Sequence, residues 1–554
     1  MSDVDLTPPT SPSPSSGLSS RSSSVSSIHT PPNLHQNSID PAAKWLVQKY
    51  GGTSVGKFAK KIAEDIIPNY LDQHKVAIVC SARSGSTKAL GTTNLLLQAA
   101  SEALRASRSS SKSVSATPGN ATPNGPNLFS PSGSPRPRSK SSPRSDSGIM
   151  SMTASSSSAS ADKPNFNATV DVLRHVIIDE ISPRSKDSIV GYGERLSCKI
   201  MAAILRDRGI DAEYVSLENI VPVTEELDST DAETLGQEFY DRVAVAVGER
   251  IRQCGSRVPV VTGFFGPVPG SLLRQIGRGY TDLLSALLAV GLSASELQIW
   301  KEVDGIFTAD PRKVPTARLI PIISPEEAAE LTYYGSEVVH PFTMEQVIRR
   351  KIPIRIKNVE NPQGGGTVIH PDPDVDSAPL EVAEDDEPEP PKLPTAVTIK
   401  ENIVVLNVSS NRKSVSHGFL AGIFGVLDRF GVVVDLISTS EVHVSMAIEE
   451  GVQRKILDKV VRELRKSGTV STHNNMAILS LVGKQMRHLV GIAGRMFTTL
   501  GNGNVNIEMI SQGANEINIS CVIDGRDAVK ALNLIHQSCL QIRPHNVKAG
   551  PWLF

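Results

Sequence analysis

The sequence predicts an α/β domain built on a mostly parallel sheet, followed by two small ferredoxin-like modules. Between residues 44 and 370, strands of buried type alternate with amphipathic helices. This order is typical of a parallel sheet that is covered by helices on both faces. After residue 395 the order β-α-β-β-α occurs twice in succession, and this repetition indicates a duplicated module.

Segments of biased composition separate these regions. The N-terminal residues 1–43 and the insertion 105–163 are rich in serine and poor in apolar residues, so we expect both to be disordered. An acidic, proline-rich stretch has the composition of a linker. The predicted order is therefore an α/β domain at 44–370, a linker at 371–394, and modules at 395–475 and 476–554.

Composition narrows the class of partner. The formal net charge of -1 gives no reason to expect binding to nucleic acid. The five cysteines lack metal-ligand spacing and indicate a reducing compartment. The sequence contains no run of 18 apolar residues, so no membrane span is predicted. The first residues include Asp3 and Asp5 and lack the apolar core of a secretory signal. We therefore expect a cytoplasmic protein.

The first strand and turn have the chemistry of an anion site. A strand at residues 45–50 leads into Gly51 and Gly52, where the backbone can turn sharply and approach a ligand closely. We expect Thr53 or Ser54 to cap a helix that begins near residue 57. The free amide groups and the dipole at a helix N-terminus favour a phosphate there.

Lys49 lies at the carboxyl end of this strand, the edge at which open α/β sheets bind ligands. Residues 51–57 fit most of the P-loop pattern GxxxxGK[ST], but Phe58 offers no hydroxyl for magnesium. A plain βα turn, whose glycines serve packing only, remains open at this point.

Three later segments complete the predicted α/β domain. A helix over residues 196–208 ends at Gly209. The sequence GRGYTD (277–282) precedes an apolar helix at 283–291, with Thr281 as its expected N-cap. Residues 351–369 are predicted to form two strands around a glycine turn.

Five motifs in order resemble those of the aspartokinases, within the amino-acid-kinase superfamily: KYGGTSVG (49–56), GYGERLS (191–197), GRGYTD (277–282), WKEVDGIFTADPR (300–312) and GSEVVHP (335–341). The repeated modules resemble the paired ACT regulatory domains of that family, and the serine-rich segments resemble its fungal, single-function form. The resemblance implies the amino-acid-kinase fold and a homo-oligomer that forms through the ACT modules. It also implies Mg-ATP-dependent phosphorylation of the L-aspartate side chain, in threonine and methionine biosynthesis.

The resemblance also implies residue roles. Lys49 and Asp282 are the expected catalytic residues, because Lys49 can neutralise charge on the moving phosphoryl group. Arg278 is expected to bind the α-carboxylate of aspartate and Glu194 its ammonium, with Thr87 and Thr281 nearby. From the residues alone, a surface capping carboxylate remains the simpler interpretation of Glu194. The expected ATP-binding residues are Lys49, Gly51, Gly52, Thr53, Ser54, Lys301, Phe307 and Arg312.

The sequence departs from the family pattern at three residues, in two of the motifs. Many relatives have Thr-Asp where this chain has Lys301 and Glu302, and many have a nucleotide-contacting lysine where this chain has Glu337. Either Lys301 or His340 is a candidate to supply the missing contact.

The ACT resemblance implies a site for an amino-acid effector, with threonine as the expected ligand. Small hydroxyls and an Asp suit the ammonium and carboxylate of a free amino acid, although lysine-binding relatives use similar residues. Core packing is the alternative role for the two apolar helix residues. The implied effector site comprises Ser416, Phe419, Leu420, Val434, Asp435 and Ser440.

Two other functions remain as alternatives. The chain could be another amino-acid kinase, acting on glutamate or N-acetylglutamate, but GRGYTD together with paired ACT modules argues against this. It could be a catalytically inactive amino-acid sensor, but the presence of Lys49, Arg278 and Asp282 argues against that.

Overall fold

The computed structural model describes residues 34–85, 91–100, 183–221, 235–266, 268, 271–276, 279–335, 339–371, 393–411, 418–451, 453–484, 486, 489–513 and 517–542. Residues 372–392 of the predicted linker and most of the serine-rich segments lie outside these ranges. The first sheet has eight strands: β1 Trp45–Tyr50, β2 Lys75–Cys80, β3 Ala212–Val215, β4 Val258–Thr262, β5 Glu296–Lys301, β6 Ile322–Ile323, β7 Ile354–Asn358 and β8 Thr367–Ile369.

The strand order in this sheet is β3-β4-β2-β1-β5-β7-β8-β6. Every pairing is parallel except that of β7 with β8, so the prediction of a mostly parallel sheet is confirmed. The two strands predicted around a glycine turn are β7 and β8. Because β1 lies in the middle of the sheet, the turn after it opens at the centre of the carboxyl edge.

Helices cover both faces of this sheet and create two hydrophobic cores. Val47 of β1 packs into the core beneath the helix Tyr280–Leu292, whereas Tyr50 packs into the core on the opposite face. None of the described helices is long and apolar enough to cross a membrane. The helices of this domain are Gly52–Lys61, Pro68–Leu71, Pro183–Asp207, Gln237–Arg252, Leu272–Gln275, Tyr280–Leu292, Pro325–Tyr333 and Pro341–Ile348.

The helix after β1 begins at Gly52 rather than near residue 57. Its N-cap is Gly51, in an extended conformation, and no side chain caps the helix. The predicted capping by Thr53 or Ser54 is therefore wrong, and the Ser54 hydroxyl instead donates to Oε1 of Glu302 at 2.8 Å. The early start places the glycine turn itself at the positive end of the helix dipole.

Two other predicted helix starts are also wrong. The apolar helix begins at Tyr280 with Gly279 as N-cap, so Thr281 lies in its first turn and its hydroxyl is available for another contact. The helix predicted at 196–208 runs over Pro183–Asp207 and contains the whole motif 191–197. Gly191 is suited to this helix by close packing, since a Cβ there would lie 2.9 Å from the ring of Phe264.

The second sheet has six antiparallel strands in the order β10-β11-β9-β12-β14-β13. The strands are β9 Ala396–Ser410, β10 Leu436–Thr439, β11 His443–Glu449, β12 Gly468–Val482, β13 Ile507–Ser511 and β14 Asn518–Asp524. The helices are Phe419–Arg429, Arg454–Leu464, Ile492–Asn502 and Ala528–Cys539. The predicted β-α-β-β-α order is thus present twice.

The long strands β9 and β12 join the two modules into one sheet. Residues 403–409 of β9 pair with β11, whereas residues 396–400 pair with residues 478–482 of β12. The predicted boundary at residues 475 and 476 falls inside β12, where the register of its pairing with β9 shifts between His473 and Ile478.

The modules contact the first domain through the helix Pro325–Tyr333. Glu327 forms a capping box with Ser324 at the start of this helix and is only 5% exposed. Its Oε1 also accepts a hydrogen bond from the Thr395 hydroxyl at 2.5 Å and one from the Lys484 amide at 2.7 Å. One buried carboxylate therefore holds the residues that flank the start of β9 and the end of β12, at one end of the β9–β12 pair, against the first domain.

Candidate active site

Lys49 projects from β1 toward the helix Tyr280–Leu292, on the same face of the strand as Val47. Its Nζ lies 2.6 Å from Oδ1 of Asp282, and the two side chains are 10% and 24% exposed. Asp282 lies in the first turn of its helix, where the dipole also favours a carboxylate. The sheet and the helix thus hold an ammonium group at the carboxyl edge, shielded from bulk water.

Glu194 is buried, and the surface-capping interpretation of it is wrong. Its Oε1 accepts a hydrogen bond from the Thr281 hydroxyl at 2.8 Å, and its Oε2 accepts one from the backbone N–H of Phe264 at 2.6 Å. Burial raises the pKa of the Glu194 carboxyl to about 7, against the opposing effect of these donors, of the Tyr280 hydroxyl and of Lys49. The carboxyl is therefore poised between its neutral and charged forms near neutral pH.

A cleft of about 690 Å³ joins these groups at the carboxyl edge of the sheet. It is lined by Gly52, Glu194, Thr281, Asp282 and Lys301, all predicted from the sequence, and Lys49 is bound to the lining residue Asp282. The other lining residues are Ser81, Ala82, Arg83, Ser84, Gly91, Thr92, Thr93, Asn94, Leu97, Val190, Gly279, Tyr280, Thr332, Val339 and His340.

Four of the singled-out residues, Thr87, Arg278, Glu337 and Ser416, lie outside the described residues. Of the residues that line the cleft, those nearest in sequence to the first two are Ser84 and Gly91 around Thr87, and Gly279 after Arg278.

The glycine turn packs tightly beside the cleft. A Cβ at Gly52 would lie 2.2 Å from the carbonyl oxygen of Ala82, so only glycine fits this close approach. The first helical hydrogen bond runs from the amide of Val55 to the carbonyl of Gly51. The amides of residues 52–54 precede that bond and therefore lack intrahelical acceptors, as at any helix N-terminus. Packing and anion binding are compatible roles for this turn.

Phe307 lines a second, smaller pocket of about 170 Å³. In its wall, the side-chain amides of Asn358 and Asn361 both donate to Oδ1 of Asp304, at 3.1 and 3.4 Å. Lys301 and Asn358 are paired across β5 and β7, so this pocket and the cleft share one edge of the sheet. The lining residues are Asp304, Phe307, Leu319, Asn358, Asn361, Gly364 and Gly366.

Arg312 lies apart from the lining residues of both pockets. Its guanidinium binds the Asp310 carboxylate through two hydrogen bonds of 3.0 and 2.9 Å, and its side chain is 88% exposed. This contact lowers the pKa of the Asp310 carboxyl. A role in binding phosphate would require Arg312 to leave Asp310.

The predicted effector residues that the structure describes lie in the first module, on the helix Phe419–Arg429 and on either side of β10. Lys400 Nζ lies 2.8 Å from Oδ1 of Asp435, whose side chain is 7% exposed and whose Oδ2 has no hydrogen-bond partner among the described residues. The Ser440 hydroxyl accepts a hydrogen bond from the His443 amide at 3.2 Å. Phe419 and Val434 pack partly into the module core, whereas Leu420 is 40% exposed.

Several contacts in the site were missed by reasoning from the sequence. Phe264 contributes a backbone N–H to Glu194, a contact for which no side-chain signal exists. Tyr280 lies within GRGYTD beside Thr281, so its motif could have indicated it. Thr332, near the end of the helix Pro325–Tyr333, lines the cleft and was not predicted, whereas His340, a candidate from the sequence, lines it as well.

No three His, Cys, Asp or Glu side chains cluster as metal ligands within the part of the chain that the structure describes. Magnesium that accompanies a nucleotide is commonly held by one or two carboxylates and by the phosphates themselves. Asp282, a carboxylate in the wall of the cleft, fits that requirement.

The chain matches the amino acid kinase family over residues 44–358 and the ACT domain over residues 479–539. The eight-stranded sheet, the lysine at its carboxyl edge and the paired modules therefore define an amino-acid kinase that carries an ACT regulatory region.

Individual relatives are more specific. Identity to the aspartokinase of Schizosaccharomyces pombe is 49% over 536 residues, which cover 93% of this chain and 98% of that protein. Identity to the aspartokinase of Saccharomyces cerevisiae is 46% over 527 residues, covering 90% and 94%. The structure of E. coli aspartokinase III with aspartate and ADP matches at 25% identity and a TM-score of 0.60, covering 90% of this chain and 100% of that one. The chain belongs to the aspartokinases, and its activity is that of an aspartate kinase.

Proposed function

We propose that the chain transfers the γ-phosphoryl group of Mg-ATP to the side-chain carboxylate of L-aspartate within the 690 Å³ cleft, forming 4-phospho-L-aspartate. The observation that carries this proposal is the placement of the Lys49–Asp282 ion pair and buried Glu194 around one cleft. Phosphoryl transfer depends on positioning and on charge neutralisation more than on covalent help from the protein.

The substrate end of the cleft is the part around Glu194 and Thr281. Ionised Glu194 offers a carboxylate to the aspartate ammonium, and the Thr281 hydroxyl fixes its orientation. Arg278, which precedes Gly279 in the sequence, pairs with the α-carboxylate, and Thr87 also contacts the substrate. The side-chain carboxylate of aspartate is thereby left to face the phosphoryl donor.

The phosphate end of the cleft is the part around Lys49 and the helix that begins at Gly52. The Lys49 ammonium stabilises the charge that spreads over the transferred group, and Asp282 holds that ammonium in place. The amides of residues 52–54 bind phosphate oxygens, with the hydroxyls of Thr53 and Ser54 close by. Magnesium held by the phosphates and Asp282 supplies further charge neutralisation when bound.

Lys301 and His340 take the place of the lysine that relatives have at the position of Glu337. Both residues line the cleft, so a positive or hydrogen-bonding group reaches the nucleotide from either side. The adenine ring occupies the smaller pocket, where Phe307 provides an aromatic face and the Asn358 and Asn361 amides provide polar edges. Arg312 contacts the outer phosphates after leaving Asp310.

The aspartate assignment is tested by Arg278→Ala. Because the α-carboxylate is not the reacting group, this change should mainly raise the KM for aspartate, by about 30-fold if about 2 kcal/mol of ion pairing is lost. Arg278→Lys is the matched control, because it keeps the charge but loses the two parallel N–H bonds. An unchanged KM for aspartate in Arg278→Ala would refute the clamp.

The regulatory part of the proposal is that threonine binds the first ACT module at Ser416, Phe419, Leu420, Val434, Asp435 and Ser440 and inhibits the enzyme. The Asp435 oxygen that lacks a partner is suited to the ammonium of a free amino acid. Lys400 already neutralises much of the Asp435 charge, so a neutral side chain is more compatible with this site than a second cation. The structure of E. coli aspartokinase III with lysine and aspartate, also 25% identical, contains the other candidate amino acid.

The wider setting follows from these assignments. The enzyme supplies phosphoaspartate to threonine and methionine biosynthesis. All five cysteines are free and buried, which supports a reducing compartment such as the cytoplasm.

Phe424 and Val433 on the first module are 42% and 68% exposed, which supports association of two chains through these modules.

A further inference from the structure

The segment that follows Phe307 is buried in the hydrophobic core of the second ACT module. Ala309 and Val314, from the first domain, are 4% and 0% exposed and belong to the same core cluster as Leu532 and Ile535. Leu532 and Ile535 both lie on the helix Ala528–Cys539. The second module is thus packed directly onto the chain segment that forms the smaller pocket.

A buried histidine on that helix makes the central polar contact. His536 is 0% exposed, and its Nε2 lies 2.9 Å from the hydroxyl oxygen of Thr308, the residue next to Phe307. The carbonyl oxygen of Thr308 accepts a hydrogen bond from the amide of Val397 in β9 at 2.8 Å. Both the side chain and the backbone of Thr308 are therefore fixed by the ACT region.

Two further contacts surround this pair. The Thr308 hydroxyl oxygen also accepts the amide N–H of Arg318 at 2.9 Å. Nδ1 of His536 lies 3.4 Å from the Thr316 hydroxyl oxygen, so in a neutral ring one nitrogen donates to a threonine hydroxyl and the other accepts from one. Burial, and the nearby positive charge of Arg318, lower the pKa of His536 and agree with a neutral ring.

The contact lies one residue from the wall of the pocket. Thr308 and Arg318 are joined by a second hydrogen bond, from the Thr308 amide to the Arg318 carbonyl at 2.9 Å. The neighbouring residues Phe307 and Leu319 form a β-bridge and both line the pocket. Any displacement of the Thr308–Arg318 pair would therefore move the aromatic face of the pocket.

We propose that His536 is a positioning residue for the nucleotide, by which the second ACT module holds Thr308 and the Phe307 wall in the conformation that binds ATP. The inference rests on the proposed placement of adenine against Phe307. The second module then contributes to the nucleotide site. The ACT region can therefore change the affinity for ATP without changing the aspartate end of the cleft.

The test is to measure the steady-state kinetics of the wild-type full chain and of its His536→Ala variant. The KM for ATP should rise about fivefold, equivalent to about 1 kcal/mol, which is typical of one lost hydrogen bond. The KM for aspartate should stay within about twofold, because Glu194 and Thr281 do not contact this segment. His536→Gln keeps a polar group near the position of Nε2 and should restore part of the ATP affinity.

Ser538→Ala is the matched control. Ser538 lies on the same helix, and its hydroxyl bonds to Thr499 at 2.8 Å within the second module, so its loss should leave both KM values unchanged. If His536→Ala fails to give folded protein, Thr308→Val removes the same contact from the other side. The double variant of Thr308→Val with His536→Gln should then be no worse than the more impaired single variant.

Three results would overturn the proposal. One is an unchanged KM for ATP in His536→Ala and Thr308→Val. Another is an equal rise in the KM for aspartate, and the third is strictly additive effects in the double variant. The adenine assignment itself is tested separately by Phe307→Ala. A normal KM for ATP in Phe307→Ala would remove that assignment, whereas a raised KM there with a normal one in His536→Ala would refute the positioning role alone.

Discussion

Lowering the pH from 8 to 6 should weaken the binding of L-aspartate about tenfold. Only ionised Glu194 can pair with the substrate ammonium, and burial raises the pKa of this carboxyl to about 7. The ionised fraction therefore falls from about 90% at pH 8 to about 10% at pH 6. The sign follows from the raised pKa, since protonation below pH 7 removes the charge that the ammonium requires.

The measurement is calorimetric titration of the full enzyme with aspartate at pH 6, 7 and 8, without nucleotide. At pH 7 about half of the free enzyme carries the proton on Glu194, so binding should release about 0.5 proton, detected with buffers of different ionisation enthalpy. Glu194→Gln is the control and should bind weakly with no such pH dependence. The pairing of Glu194 with the aspartate ammonium would be refuted if the affinity of the wild type for aspartate were constant from pH 6 to 8. It would also be refuted if the affinity of Glu194→Gln changed with pH as much as that of the wild type.

Three further changes test other parts of the account. Lys49→Ala should lower kcat and kcat/KM together by ~10²–10³-fold, as for a charge used in the transition state, and a rise in the KM for ATP alone would make Lys49 only a binding residue. Ser440→Leu should abolish inhibition by threonine while uninhibited kcat stays near the wild-type value, and inhibition of the wild type by lysine instead of threonine would contradict the effector assignment. Glu327→Ala should lower the free energy of unfolding, measured by denaturant titration, by at least ~2 kcal/mol. The change removes the capping box and leaves the Thr395 hydroxyl and the Lys484 amide without their acceptor. An unchanged denaturation midpoint would show that these hydrogen bonds do not stabilise the contact between the domains.

Periodicity and turn chemistry were sufficient to predict the elements of the fold but not all of their ends. The parallel sheet and the duplicated module both follow from patterns that extend over many residues. The start of the first helix at Gly52 does not, because a glycine N-cap has no side chain to indicate it. In the same way, glycine disfavours a helix by local propensity, yet Gly191 and Gly193 both lie within the helix Pro183–Asp207. They fit there because other side chains pack closely against them, and local propensity contains no information about such tertiary contacts.

The site was predictable where both partners of a contact belong to the five motifs. Thr281 and Asp282 are adjacent in GRGYTD, and their contacts with Glu194 and Lys49 come from motifs that the family resemblance had already joined. The contact of Thr308 with His536 was not predictable, since 228 residues separate the partners and His536 belongs to none of the five motifs. Contacts of this kind depend on how the second module packs on the first domain, and only the three-dimensional structure provides that information.

The most direct test of the central claim is the release of ADP by the purified full chain with different phosphoryl acceptors, coupled to trapping of the acyl phosphate as a hydroxamate. The account predicts turnover with L-aspartate and Mg-ATP, and none above background with glutamate, N-acetylglutamate or UMP. The pairing of Glu194 with the ammonium also predicts that N-acetylaspartate, which lacks that charge, is not phosphorylated. Turnover with glutamate or UMP but not with aspartate would contradict the account.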